Sequence, residues 1–118
     1  GEGTRIGAFV EIGHKVKVGK NCRIGCGSFI PENIIIEDNV FIGPHTVFTN
    51  DKNPPSNGAW KKEPPTIVRE GAAVGANSTI LPNIILGNDC KIGAGSVVTK
   101  NIPNKEIWVG VPAKKLNK

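Results

Sequence analysis

Three residues capable of hydrogen-bond or proton chemistry, His45, Asn50 and Asp51, fall in one short run of this chain, just ahead of a cluster of prolines. The amide oxygen of Asn50 can accept a hydrogen bond from an amine, and Asn is equally an ordinary turn-former. Asp51 can steer an ammonium by charge or take its proton, or simply be a solvated loop carboxylate. His45 can serve as acid or base near neutral pH, and reads equally as a corner residue. His14, the only other histidine, reads as a surface group. Two histidines, and three cysteines without a CxxC spacing, suit neither a zinc site nor a disulfide framework. No metal is expected.

What must hold these residues in place is a repeat. Ile6, Ile12, Val18, Ile24, Ile30, Ile36 and Ile42 follow one another at six-residue intervals, and Phe48 would continue the row. After a break the row resumes at Val68, Val74, Ile80, Leu86, Ile92 and Val98. Four residues after each aliphatic comes a small or β-branched residue: Val10, Val16, Cys22, Ser28, Ile34, Val40 and Thr46, then Ala72, Ser78, Ile84, Cys90 and Ser96. Gly often follows the aliphatic directly, as at Gly7, Gly13, Gly25, Gly43, Gly75 and Gly93. Period six is wrong for an α-helix, whose apolar stripe recurs at three and four residues. It suits very short strands separated by corners, with the aliphatic and the small residue both pointing inward. Gly, Asn and Asp fill corners because they tolerate left-handed backbone angles. Three hexapeptides make one triangular coil of about 18 residues, and stacked coils pair their strands at about 4.8 Å. Thirteen units predict a little over four coils. Cys22 and Cys90 occupy inward slots and read as core; Cys26 lies off those rows, with no base beside it to make it a nucleophile.

The row breaks between Phe48 and Val68, where residues 49–66 carry two Pro-Pro pairs and Trp60. Pro cannot donate to a β-ladder, so the chain leaves the repeat here as a protruding loop. A long polar loop inside a compact repeat is usually functional or disordered; rigid prolines and a large Trp60 favour one that packs onto something.

The 118 residues allow one domain, 1–118, with a C-terminal tail from 103 to 118. The scarcity of aromatics, two Trp and four Phe, argues against a core built on rings. No stretch approaches the roughly 18 apolar residues of a membrane span and no signal peptide is visible, so a cytoplasmic protein without a membrane partner is expected. Methionine is absent, so Gly1 is read as other than the translational start. The net charge of +5 is spread along the chain and the base-stacking aromatics are few, which disfavours nucleic acid.

The repeat resembles that of the hexapeptide-repeat acyltransferases, a family of left-handed parallel β-helices, and the likeness covers Thr4 to Leu116. The left hand comes from the family; general connection rules favour right-handed crossovers. The run Gly43-Pro44-His45-Thr46-Val47-Phe48-Thr49-Asn50-Asp51, then Asn53-Pro54, is similar to the nucleotide-sugar N-acetyltransferases that modify a 3-amino sugar. Gly75 to Ile80, Gly93 to Lys100 and Val109 to Lys114 continue the likeness. The chain begins about one coil later than typical members.

The resemblance implies a homotrimer that moves acetyl from acetyl-CoA to the amine of a nucleotide-linked amino sugar, with the loop reaching a neighbouring subunit and walling the active site. Asn50, His45 and Asp51 become the candidate catalytic residues. Thr99 and the backbone at Ala76 and Ala94 would take the pantetheine arm, and Lys100 and Lys114 the CoA phosphates, where an ammonium acts as a point charge. Lys114, Lys115 and Lys118 equally form a solvated basic tail. An O-acetyltransferase of the galactoside or xenobiotic type, and a non-catalytic trimeric scaffold, are the alternatives. In the galactoside-type enzymes a loop His directly before a Pro resembles the base; the comparable step here is Asn53-Pro54. The trimeric β-helix carbonic anhydrases need three histidine ligands, a pattern His14 and His45 do not match.

Overall fold

The computed structural model describes residues 1–58 and 63–117, and its strands lie where the aliphatic rows fall. Three columns of parallel strands form the walls of a triangular prism. Wall A stacks β1 (Arg5–Ile6), β4 (Arg23–Ile24), β7 (Phe41–Ile42), β10 (Ala73–Val74), β13 (Lys91–Ile92) and β15 (Ile107–Gly110), and closes on an antiparallel strand, β16 (Ala113–Lys115). Wall B stacks β2 (Glu11–Ile12), β5 (Phe29–Ile30), β8 (Val47–Phe48), β11 (Thr79–Ile80) and β14 (Val97–Val98). Wall C stacks β3 (Lys17–Val18), β6 (Ile34–Ile36), β9 (Thr66–Val68) and β12 (Ile85–Leu86). Each strand is too short to hold a sheet alone. Its hydrogen bonds and its inward side chain both go to the coils above and below, so stability is a sum of neighbour contacts along one axis.

Register follows the period. Arg5 lies opposite Arg23, and Arg23 opposite Phe41, so partners are 18 residues apart. From β4 to β14 the row residue of each strand points in: Ile24, Ile30, Ile36, Ile42, Phe48, Val68, Val74, Ile80, Leu86, Ile92 and Val98 are all buried. The second row is buried as well, Cys22, Ser28, Ile34, Val40, Thr46, Ala72, Ser78, Ile84, Cys90 and Ser96 included. Inward-facing members of the first coil behave differently. Ile6 is 51% exposed and Val18 only half-buried, because that coil has a neighbour on one side only among the described residues.

The corners turn on left-handed residues. Asn21, Asn33, Asn39, His45, Asn77, Asn83 and Asp89 all have φ between 55° and 72°, a region that Asn and Asp enter more readily than most residues.

There are more coils than the sequence period suggests: five, with β15 opening a sixth. Phe48 counts as a unit, since β8 pairs with both β5 and β11. Phe48 and Val68 are consecutive sides of one coil, so the loop is an insertion at a corner and replaces no coil. The last turn is two residues short, which puts Ile102 opposite Leu86 and Lys91 opposite Ile107. That slip breaks the six-residue count and hides Ile102 and Trp108 as the last inward members. The C-terminal stretch, read above only as a tail, carries the β15–β16 hairpin. At the other boundary, Thr66 already belongs to wall C, 2% exposed and opposite Ile34. Trp60, expected to pack onto something, lies outside the described residues, as does Lys118.

Candidate functional site

The expected site residues occupy two edges of the prism, on either side of wall B. On the edge between walls A and B the corners stack as Gly25-Cys26-Gly27, Gly43-Pro44-His45, Gly75-Ala76-Asn77 and Gly93-Ala94-Gly95. Backbone there is close to backbone: a Cβ on Gly75 would sit 2.5 Å from the Ala94 nitrogen, so only glycine fits. Beneath this edge runs a column of buried hydroxyls. The Ser28 and Thr46 hydroxyls donate to the Gly43 carbonyl at 3.1 and 2.8 Å, Ser78 to Gly75 at 2.8 Å, and Ser96 to Gly93 at 2.7 Å. They satisfy polar groups that the tight corners leave inside. His45 is an exposed corner residue at φ 56°, its ring over Gly27, where a Cβ would meet Cε1 at 2.6 Å. Ala76 is half-buried and Ala94 exposed on the same edge.

On the edge between walls B and C the loop departs, and a cleft of about 370 Å³ opens beside it. Asn50, Asp51, Lys52, Asn53, Ser56 and Glu63 line it from the loop, and Leu81, Pro82, Asn83, Ile84 and Thr99 from the coils above. The loop is tied at both feet. Thr49 gives its backbone N–H and its hydroxyl to the Ile80 carbonyl, at 3.0 and 3.2 Å. On the return limb the Asn33 side chain donates to the carbonyls of Glu63 and Pro64, at 3.1 and 3.2 Å, and Asn83 donates to Pro64 from the adjacent coil. Within the loop, the Ser56 N–H donates to Asp51 Oδ2 at 2.9 Å, so half of that carboxylate is spent on the turn.

Thr99 is also a wall of a second hollow, about 200 Å³, completed by Lys100, Trp108, Pro112, Ala113, Lys114 and Lys115. The Trp108 indole N–H donates to Glu106 Oε1 at 2.9 Å, and Lys115 pairs with Glu106 Oε2 at 3.3 Å. The indole bond, helped by Lys115, holds the Glu106 carboxyl below the usual carboxylate range. Lys115 is thus engaged, whereas neither Lys100 nor Lys114 joins an ion pair among the described residues.

The structure therefore brings Asn50, Asp51 and Thr99 to one cleft, and Thr99, Lys100 and Lys114 to the hollow beside it. It does not bring His45, Ala76 or Ala94 to either. Sequence reading missed Glu63, Ser56, Asn83 and Trp108. Asn83 had a signal, since Pro31-Glu32-Asn33-Ile34 and Pro82-Asn83-Ile84 mark the same corner on either side of the loop. Among the described residues no group of three or more His, Cys, Asp and Glu side chains gathers as a metal site, and no helix is long and apolar enough to cross a membrane.

A triangular parallel β-helix of six-residue units, with a looped cleft at one corner, is the architecture of a hexapeptide-repeat protein. The family described as bacterial transferase hexapeptide (six repeats) matches residues 1–32, 16–50 and 65–100, and the chain belongs to it. The bifunctional protein GlmU of Rubrobacter xylanophilus is 32% identical over 96% of this chain and 22% of its own length. A serine acetyltransferase of Buchnera aphidicola is 42% identical over 78% of this chain and 33% of its own. This chain thus spans a third or less of the length of these relatives. Among solved structures, a variant of AntD, an N-acyltransferase from Bacillus cereus in complex with dTDP-4-amino-4,6-dideoxyglucose and coenzyme A, superposes with a TM-score of 0.81 at 25% identity. That match covers 96% of this chain and 68% of AntD.

Proposed function

We propose that this protein transfers acetyl from acetyl-CoA to the amine of a nucleotide-linked amino sugar. The observation that carries the reading is Thr99, shared by the Asn50 cleft and the lysine-flanked hollow, so that an acceptor and a phosphate-bearing donor can meet across one side chain. AntD supports it, because its complex holds both a dTDP-linked amino sugar and coenzyme A. Lys100 and Lys114 suit the donor's phosphates, and the apolar surface between them suits its thiol arm.

The two-edge arrangement supports a homotrimer. A single flat wall has little concavity, and in the proposed trimer the groove between two prisms would set one subunit's Asn50 cleft against its neighbour's Ala76–Ala94 edge. In this reading the neutral amine, held by the Asn50 amide oxygen, attacks the thioester carbonyl. Backbone N–H groups on the coils stabilise the oxyanion, and the thiolate leaves and later accepts a proton. No strong base is required. A model α-amino group titrates at roughly 7.7–8.0, so about one-tenth is already neutral at pH 7, and positioning supplies much of the remaining rate.

The Buchnera serine acetyltransferase favours a second reading, transfer to a hydroxyl. A hydroxyl needs a base; among the described residues no histidine of the same subunit lines the cleft, and the one candidate is the neighbour's His45, on the edge that carries Ala76 and Ala94. The deciding experiment incubates the protein with acetyl-CoA and UDP- and dTDP-linked 3- and 4-amino sugars, their hydroxyl counterparts, and serine, with mass spectrometry of the products. Acetylation of an amino sugar is expected; acetylation of hydroxyls alone would establish the second reading. Absence of acetyl-CoA binding by calorimetry would leave a scaffold.

A further inference from the structure

The cleft holds a second carboxylate residue besides Asp51. Asp51, Lys52 and Glu63 line it, and Glu32 lines the adjoining crevice under Asn50. Asp51 already gives one oxygen to the Ser56 N–H. Glu63 enters differently: it lines the cleft as an exposed residue while its backbone is fixed from outside the loop. The Glu63 carbonyl accepts from Asn33 at 3.1 Å, and the next carbonyl, Pro64, accepts from both Asn33 and Asn83. Thr66 completes the clamp, its N–H reaching the Asn33 carbonyl at 3.0 Å and its hydroxyl accepting from the Asn83 N–H at 2.9 Å. Two corners separated by the insertion thus grip one side of it. Both corner residues have positive φ, 72° at Asn33 and 68° at Asn83, a geometry Gly serves at least as well. The amide side chains are what Gly would lack, and both go to the loop.

We propose that Glu63 is the carboxylate that recognises the acceptor's ammonium group, and that Asn33 and Asn83 are positioning residues that hold it at the cleft. The assignment rests on the amine-acceptor reading above and names the group that distinguishes an amine from a hydroxyl on the same ring. A carboxylate opposite an ammonium gains charge attraction and a charge-assisted hydrogen bond, and offers far less to a neutral hydroxyl. It also favours the charged form of the bound amine, so the rise of kcat with pH lies higher with Glu63 than without it.

The test is calorimetry at pH 7 with dTDP-4-amino-4,6-dideoxyglucose and its 4-hydroxyl counterpart, on the wild-type protein, Glu63→Gln, and the double variant Asn33→Gly with Asn83→Gly. Wild type is expected to prefer the amine by about fivefold or more. Both variants are expected to lose that preference, amine affinity falling more than hydroxyl affinity, and the kcat limb of Glu63→Gln moves to lower pH. A Glu63→Gln protein that keeps the preference, or weakens both sugars equally, overturns the Glu63 assignment. A double-glycine protein that keeps it overturns the positioning role. Wild-type protein that binds none of the UDP- and dTDP-linked 3- and 4-amino sugars overturns the acceptor reading itself, and wild type that binds amine and hydroxyl equally overturns only the role of Glu63.

Discussion

Asn50 and His45 lie on different edges of the prism, and a pair of substitutions reads that separation. Asn50→Ala is expected to cost far more in kcat/KM than His45→Ala, and the rate to rise through the amine's own pKa with no limb assignable to imidazole. A folded His45→Ala protein that loses about 10²-fold or more would reverse this and revive the hydroxyl acceptor. Lys100→Ala is expected to weaken CoA binding more than sugar binding, and the gap to narrow at high salt, where an exposed point charge is screened. Equal losses for both ligands would remove Lys100 from the donor site. The cysteines differ for a physical reason. Burial pushes the Cys90 thiol up to about 11, the Cys22 thiol is buried and donates to the Glu37 carbonyl at 3.0 Å, and Cys26 is exposed. Iodoacetamide at pH 8 should therefore label Cys26 alone until the fold is opened, as peptide mass mapping would show. This contrast was legible in the sequence, because Cys22 and Cys90 sit on the second inward row and Cys26 does not. The role of Asp51 was not: its bond to Ser56 depends on how the loop folds back, which no period reports.

At the scale of elements, the loop and the C-terminal hairpin are the two departures from the repeat, and both line hollows. Deleting Asp51–Glu63 is expected to leave a folded stack and abolish sugar turnover, because the feet of the loop pair with coils that do not need it. Unchanged sugar kinetics would make the loop ornamental. The hairpin carries a pH signature. The Glu106 carboxyl is held below its ordinary 4.5 by the Trp108 indole and then by Lys115. A depressed carboxyl contributes while ionised, so the contribution is complete above the ordinary carboxylate range and is lost as pH falls through the lowered value. In a Trp60→Phe background, Trp108 emission should change with a midpoint below that of an ordinary glutamate; Glu106→Gln should abolish the transition. The existence of the loop was readable from its Pro-Pro pairs. The hairpin was not, since the two-residue shortening before Ile102 destroys the only signal, six-residue spacing, that the sequence offered.

For the whole molecule, the core is one column of side chains with no second layer to compensate for damage. Ile36, 1% exposed between Val18 and Val68, has coils on both sides. Ile36→Asp would strand a carboxylate between them at a cost of several kcal/mol, read as a lowered midpoint in urea; a parental midpoint would refute its inward placement. The walls and the corners also answer differently to changes in chain length. Outside the loop-bearing coil and the shortened last turn, register advances by 18 residues per coil, as from Ala73 to Lys91 and from Thr79 to Val97. Excising residues 73–90 would bring Lys91 to the place of Ala73, opposite Phe41, with every inward side chain still inward, whereas losing one residue fewer would turn each following strand inside out. At the corner after Phe48 no such arithmetic applies, for the chain there leaves and rejoins the wall without altering the side it meets next. Length is therefore quantised along the walls and free at that corner, and the free stretch is the one that borders the cleft. Such a scaffold can vary what it binds by altering a single loop, in steps as small as one residue, without disturbing a single rung.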